Sequence, residues 1–339
     1  MGGSANAAKI TGPHVWSGCT MMQKRDWIFH FDADDRAELE AAAEHVRKQG
    51  IVLDEAKKED FHLPRLSSIL ANVGEELGSG RGFVLMRGLP SASYSEDELA
   101  ALFWGLGAHL GIGVAQSRAG DRLGHVRDIG SRDTRYYTRG GELEFHMDPV
   151  DVVGLFCLQA AKSGGQSRIV SSMQIYNTIA AERPDLLENL MRGFYYSRRA
   201  YQPDSTGRAL YTNDRVEVFK SGGAGMECYY LPASFRAAAQ DGAPFTDEDA
   251  AAFALFDQVC NRPENWLDME FVEGDIQFLN NRTILHARTD YVEHEDPAKQ
   301  RHLLRLWLMV PQWPKRAMSM RNDQESDLAG GGFSRDAAE

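Results

Sequence analysis

Cysteine is scarce in this chain of 339 residues. Cys19, Cys157, Cys228 and Cys260 lie far apart and form no C-x-x-C pair, so they read as reduced thiols of a cytoplasmic protein. No stretch of about eighteen apolar residues is present to span a membrane, and Met1 to Gly18 lack the apolar segment of a signal peptide. Positive charge is in deficit: 37 Lys and Arg stand against 49 Asp and Glu, a net charge of −12. That balance excludes a general nucleic-acid binder or a membrane-surface protein, both of which need basic footprints. A small-molecule partner is expected instead, and an anionic one must be captured by locally placed Arg or Lys. Internal repeats are absent. The only biased segment is the polar, Gly-rich tail over 316–339, which is expected to be flexible.

What is present is an ordinary globular composition, 43% hydrophobic and 25% charged, able to bury a sizeable core. Asp35 to Gln49 places Leu39, Ala42, Ala43 and Val46 on one helical face and stops at Gly50. Gly82 to Arg87 is a short apolar run closed by Gly88 and Pro90, hence a buried strand. Ser95 and Glu98 form a capping box, stapled by Tyr94 and Leu99, for a helix running to about Leu110. From Tyr136 onward strands dominate, with helical stretches near Gln174–Arg192 and Asp247–Cys260. Asp151–Ala160 and Ser167–Ser171, joined through Gly164-Gly165, are expected to pair as a hairpin. Met269–Val272, Ile276–Leu279, Thr283–Arg288 and Arg301–Val310 read as further strands. Late-clustered strands around a helical insert, without βαβ alternation, favour a mainly β barrel or jelly roll with helical additions.

His-x-Asp occurs three times, as His30-Phe31-Asp32, His146-Met147-Asp148 and His294-Glu295-Asp296. In an extended segment the two side chains share a face and can hold one ion. With ten histidines the triplet alone decides little. The third copy sits in a polar stretch before Pro297, and the first precedes a helix with nothing to brace it. Only His146 and Asp148 are followed at once by strand, turn and strand, the rigid scaffold that ligands require. His286 is the best third ligand: on Thr283–Arg288 it alternates with Leu285 and Ala287, which face the other way. Two histidines and one carboxylate leave coordination positions open, the set associated with non-haem Fe(II) oxygenases. Structural zinc would prefer four closed ligands, usually with Cys, and no cysteine is placed to complete them. On the strand beginning at Arg301, residues 301 and 305 share a face while Leu304, Leu306 and Leu308 line the other.

With these residues in order, the chain resembles the taurine dioxygenase and clavaminate synthase-like (TauD/TfdA) group of Fe(II)/2-oxoglutarate oxygenases. The resemblance runs from about Gly82 to Val310. It is carried by Gly-Phe-Val-Leu-Met-Arg-Gly-Leu-Pro (82–90), Phe-His-Met-Asp (145–148), Gly-Gly-Gln-Ser (164–167), Gly-Asp (274–275), His-Ala-Arg-Thr (286–289) and the arginine strand. It implies a double-stranded β-helix in a single oxygenase domain over 1–315. An α/β portion would cover about 30–130, and a barrel about 131–315 with a helical insertion at about 172–265. It also implies Fe(II) bound by His146, Asp148 and His286, with 2-oxoglutarate and O2 as co-substrates. Iron, one carboxylate and the dianionic co-substrate leave one net negative charge, costly in a water-poor barrel unless a guanidinium offsets it. Arg301 would clamp the distal carboxylate through its planar fork, helped by Ser167, and Arg305 would meet an acidic group of the substrate or the co-substrate itself. Tyr136, Tyr137 and Arg139, just upstream of the ligand strand, are expected to face the substrate. The implied outcome is hydroxylation of a small organic molecule with release of succinate and CO2; desaturation and cyclisation use the same residues. Retention of Asp148 argues against the halogenating branch, which replaces this carboxylate.

The alternative is a cupin-like zinc or manganese hydrolase or isomerase that does not use O2; it explains the three ligands and gives Arg301 no task. A non-catalytic binding domain is disfavoured by the intact ligands. The sequence leaves the oligomeric state open, a homo-oligomer included.

Overall fold

The computed structural model describes residues 8–117, 120–128, 141–197, 210–223 and 225–314. Tyr136, Tyr137, Arg139 and the 316–339 tail lie outside the described residues.

The N-terminal part mixes helices and strands. α1 (Gly18–Lys24), capped by Ser17, went unread in the sequence because seven residues carry too little periodicity. β1 (Ile28–His30) leads into α2 (Ala33–Lys48), whose capping box joins Asp32 and Asp35. α3 (Leu66–Gly78), β2 (Phe83–Arg87) and α4 (Glu96–Leu110) follow, α4 starting at the Ser95–Glu98 capping box read from the sequence. Then come β3 (Ile112–Gly113), β4 (Leu123–Val126), β5 (Leu143–His146), β6 (Val152–Gln159), β7 (Ser163–Gly164) and β8 (Ser167–Ser171).

Pro184 splits the first helical stretch of the insert into α5 (Ser172–Glu182) and α6 (Pro184–Arg192), since proline is tolerated in the first turn of a helix but not inside one. β9 (Phe219–Gly222), β10 (Gly225–Cys228), α7 (Pro232–Gln240) and α8 (Asp247–Cys260) complete the insert. β11 (Trp266–Met269), β12 (Ile276–Asn280), β13 (Ile284–Arg288), β14 (Tyr291–Val292) and β15 (His302–Met309) close the chain.

Two sheets face each other. The larger has the order β1-β2-β12-β6-β15-β3, with β4 also on β15, and the smaller has the order β11-β8-β13-β5. This is the mainly β jelly roll with helical additions expected from the sequence. The expected hairpin of Asp151–Ala160 with Ser167–Ser171 is not formed. β6 is hydrogen-bonded on both sides, to β12 and β15, so no edge is free for β8, which pairs with β11 and β13 in the opposite sheet. The Gly164-Gly165 turn carries the chain across instead. Both glycines have positive φ, and a Cβ on Gly164 would stand 2.2 Å from the Asp290 carbonyl oxygen.

Strand alternation sorts the core into three layers. Leu304, Leu306 and Leu308 of β15 pack outward with Phe103, Leu106 and Leu39 of the N-terminal helices. Val170 and Leu285 of the small sheet pack outward against α5, α6 and α8 through Ile175, Leu190 and Phe256. Between the sheets Phe83, Val153, Ile169, Ile284, Leu303 and Trp307 fill one part of the barrel, and polar side chains occupy another.

Candidate metal centre

His286 lies directly opposite His146 in the antiparallel β13–β5 pair, with ring centroids 4.2 Å apart. Their faces follow from the pleat: Leu285 and Ala287 join the helical side, while Ile284, His286 and Arg288 turn inward. Nδ1 of His146 bonds the Glu144 carbonyl at 2.9 Å, which leaves Nε2 as the ligand atom.

The sequence suggests an extended run through Val150, but β5 ends at His146 and Asp148 stands beyond it. Its direction is set by long-range contacts instead. Its backbone N–H donates to Asn281 Oδ1 at 3.3 Å, and Trp307 Nε1–H donates to its Oδ2 at 2.9 Å. One ligand atom from each of His146, Asp148 and His286 lies within 4.8 Å of the others, and Asp148 Oδ2 is 3.9 Å from His286 Nε2. Metal–ligand bonds of about 2.1 Å span up to about 4.2 Å across one ion, so the 3.9 Å Asp148–His286 pair can meet on a single cation, with His146 beside it.

The electrostatics hold His286 and Asp148 in their metal-binding forms. Burial, the neighbouring His146 and Arg305 press the His286 pKa down to about 3, despite the pull of Asp148, so the imidazole is neutral. Burial works to raise the Asp148 pKa. Arg305, the two histidines and the Trp307 hydrogen bond outweigh it, and the carboxyl stays below its usual range.

Arg288, Arg301 and Arg305 are buried as well, and Arg305 stands beside the triad. Arg305 donates from Nε to Gln116 Oε1 at 2.7 Å, and its Nη1 stands 3.8 Å from Asp148 Oδ2. Gln116 in turn donates to the Arg305 carbonyl at 2.8 Å. Arg301 and Arg288 both approach the Tyr291 ring, at 5.4 Å and 4.8 Å, and Arg288 also donates to the Gly141 carbonyl at 2.8 Å. Burial and the charge of Arg288 lower the Arg301 pKa to about 10. The Ser167 hydroxyl, buried at the start of β8, donates to Gln277 Oε1 at 3.0 Å.

The other two His-x-Asp copies serve elsewhere: Asp32 caps α2 and Asp296 caps a turn at Pro297–Lys299. Sequence reasoning missed Arg288, Trp307, Gln116, Asn281 and Tyr291. Arg288 and Trp307 carried a signal, lying two residues from His286 and Arg305 on the same strand faces. Gln116 and Asn281 carried none, since they act across 189 and 133 residues of chain.

The family described as taurine catabolism dioxygenase TauD, TfdA matches residues 45–307. The chain is 31% identical over 310 residues to FR-33289 synthase of Streptomyces rubellomurinus, covering 89% of this chain and 90% of the relative. It is 29% identical over 321 residues to the taurine hydroxylase-like protein SAT17 of Stachybotrys chartarum, covering 88% and 80%. Among solved structures, asparagine oxygenase with Fe(II), 2S,3S-3-hydroxyasparagine and succinate superposes with a TM-score of 0.67 at 16% identity, covering 84% of this chain and 93% of that one. The non-heme iron oxygenase OrfP with Fe and alpha-ketoglutaric acid gives 0.60 at 13% identity, over 83% and 93%. Both share the fold.

Proposed function

The chain belongs to the taurine catabolism dioxygenase TauD, TfdA family, and on that premise we propose that it is an Fe(II)- and 2-oxoglutarate-dependent dioxygenase whose iron is held by His146, Asp148 and His286. The observation that carries this reading is the convergence of two imidazoles and one carboxylate in the barrel interior, with the buried Arg305 guanidinium 3.8 Å from that carboxylate. When bound, iron and 2-oxoglutarate supply the oxidising chemistry: O2 is consumed, the co-substrate leaves as succinate and CO2, and a small organic molecule is oxidised.

The protein's own residues do the positioning. Arg301 holds the distal carboxylate of 2-oxoglutarate; burial and the Arg288 charge disfavour its cation, and an incoming carboxylate relieves both. Ser167 adds a hydroxyl to that end of the site. Arg305, braced by Gln116 next to Asp148, meets an anionic group of the substrate. The amino-acid products named for asparagine oxygenase and OrfP fit that assignment, since each carries a carboxylate. Hydroxylation is the default outcome, with desaturation or cyclisation open to the same residues. The cupin-like alternative gives the three arginines no task.

Anaerobic titration tests the reading. A visible charge-transfer band that needs Fe(II) and 2-oxoglutarate together supports it; absence of the band, with high zinc affinity, returns the cupin-like alternative. Stimulated succinate release across a panel of small carboxylates, sulfonates and phosphonates then identifies the substrate class.

A further inference from the structure

Among the described residues a second cluster has metal-ligating chemistry, on the outside of the barrel. Glu96 opens α4, His125 lies on β4 and His302 opens β15. His125 Nδ1 is 2.9 Å from His302 Nε2, and the Glu96 carboxylate stands 3.5 Å from His125 Nδ1 and 3.8 Å from His302 Nδ1. One ligand atom from each lies within 4.8 Å of the others. Three separate elements converge here, so the spacing does not follow from local geometry. β4 pairs with β15 so that His125 opposes Leu304. The pleat then puts His302 on the Leu304 face, opposite to Arg301 and the barrel interior.

We propose that Glu96, His125 and His302 form a surface site for a divalent transition metal of the zinc, nickel or copper type, distinct from the iron centre. Two bonds of about 2.1 Å at a tetrahedral angle put their nitrogens about 3.4 Å apart, so a cation replaces the hydrogen bond between the rings with movements of a few tenths of an ångström. Imidazole with one carboxylate suits these ions over iron(II), which lies below them in divalent affinity. His125 and Glu96 are 42% and 53% exposed, which gives an ion access and leaves a position for water. Arg127 adds positive charge near His302 and opposes a further cation, which makes the Glu96 carboxylate necessary. An ion held here ties α4 and β4 to the start of β15, the strand that carries Arg305 and follows directly on Arg301.

Zinc chloride titration of the full chain by calorimetry tests the site. The unaltered protein should bind one equivalent more than His125→Ala, a change at an exposed position that leaves the barrel and its oxidation chemistry intact. Glu96→Gln should weaken that equivalent by roughly tenfold or more, and His146→Ala should leave it in place. Crystals soaked in zinc should give an anomalous peak between the three side chains. Equal stoichiometry in the unaltered protein and His125→Ala, or a peak only at His146, Asp148 and His286, overturns the proposal.

Discussion

Two buried charged clusters lie close together in the chain and are built on opposite principles. In one, Arg282 donates from Nε and Nη2 to Asp151 Oδ1 at 3.1 and 2.7 Å, and from Nη1 to Glu227 Oε1 at 2.8 Å and to the Pro314 carbonyl at 2.6 Å. The second oxygen of Asp151 takes the Val310 N–H at 3.0 Å. Each charge there meets its opposite within the protein. In the other, Arg305 stands 3.8 Å from the candidate ligand carboxylate Asp148, Arg288 and Arg301 are buried beside the Tyr291 ring, and among the described residues no carboxylate bonds the Arg301 guanidinium. The difference teaches that burial of charge has two uses: a compensated cluster holds the fold, and on the proposed function the buried Arg301 guanidinium is reserved for an incoming anion. The two are joined, because Asn281 reaches Asp148 while its neighbour Arg282 reaches Asp151.

The comparison is sharpened first by removing a ligand. His286→Ala should abolish Fe(II) binding and lower turnover by more than about 100-fold while circular dichroism shows the fold intact; iron binding at the original affinity would refute the triad. Arg282→Ala strands Asp151 and Glu227 in the interior and should cost about 3–5 kcal/mol in urea unfolding. Arg301→Ala should do the reverse. Stability holds or rises, since an uncomfortable cation is gone, and KM for 2-oxoglutarate climbs roughly 30-fold or more, equivalent to about 2 kcal/mol. A large loss of stability in Arg301→Ala with unchanged KM would erase the distinction between the clusters. Trp307→Phe, which removes one hydrogen bond from Asp148, should weaken iron binding roughly tenfold in a chelator competition.

A pH slope supplies a further test. His286 has a folded pKa of about 3 against an unfolded value of 6.5, so the unfolded chain binds the extra proton between those limits. Stability of the metal-free protein should therefore be complete above about pH 6.5 and fall toward pH 3, by at most about 1.4 kcal/mol per pH unit from this group. Unfolding curves that stay flat across that window would count against a buried neutral imidazole.

Much of the site was legible because strand alternation is a strict rule. Leu285-His286-Ala287 and Leu304-Arg305-Leu306 declare their faces, and the faces alone send His286 and Arg305 inward. Strand boundaries and helix caps were local too, so the Ser95–Glu98 box was readable. What failed was pairing. Nothing in the residues of Asp151–Ala160 announces that its two edges are filled by β12 and β15, elements more than a hundred residues later. Arg282 escaped for the same reason: its partners come from three distant segments, and a lone arginine after two asparagines looks like a turn.

Gln116 grips Arg305 twice, accepting from its Nε and donating to its carbonyl, and also holds the Arg122 carbonyl at 2.9 Å. Such a side chain behaves less like a tether than like a fixed bearing. A molecule that docks on it has no rotamers left to freeze, so the entropy normally lost in stilling a long cation has already been spent during folding. On the proposed role of Arg305, recognition there should reward shape: a rigid anion of the right reach gains fully, and one short by a methylene finds that the guanidinium does not follow it.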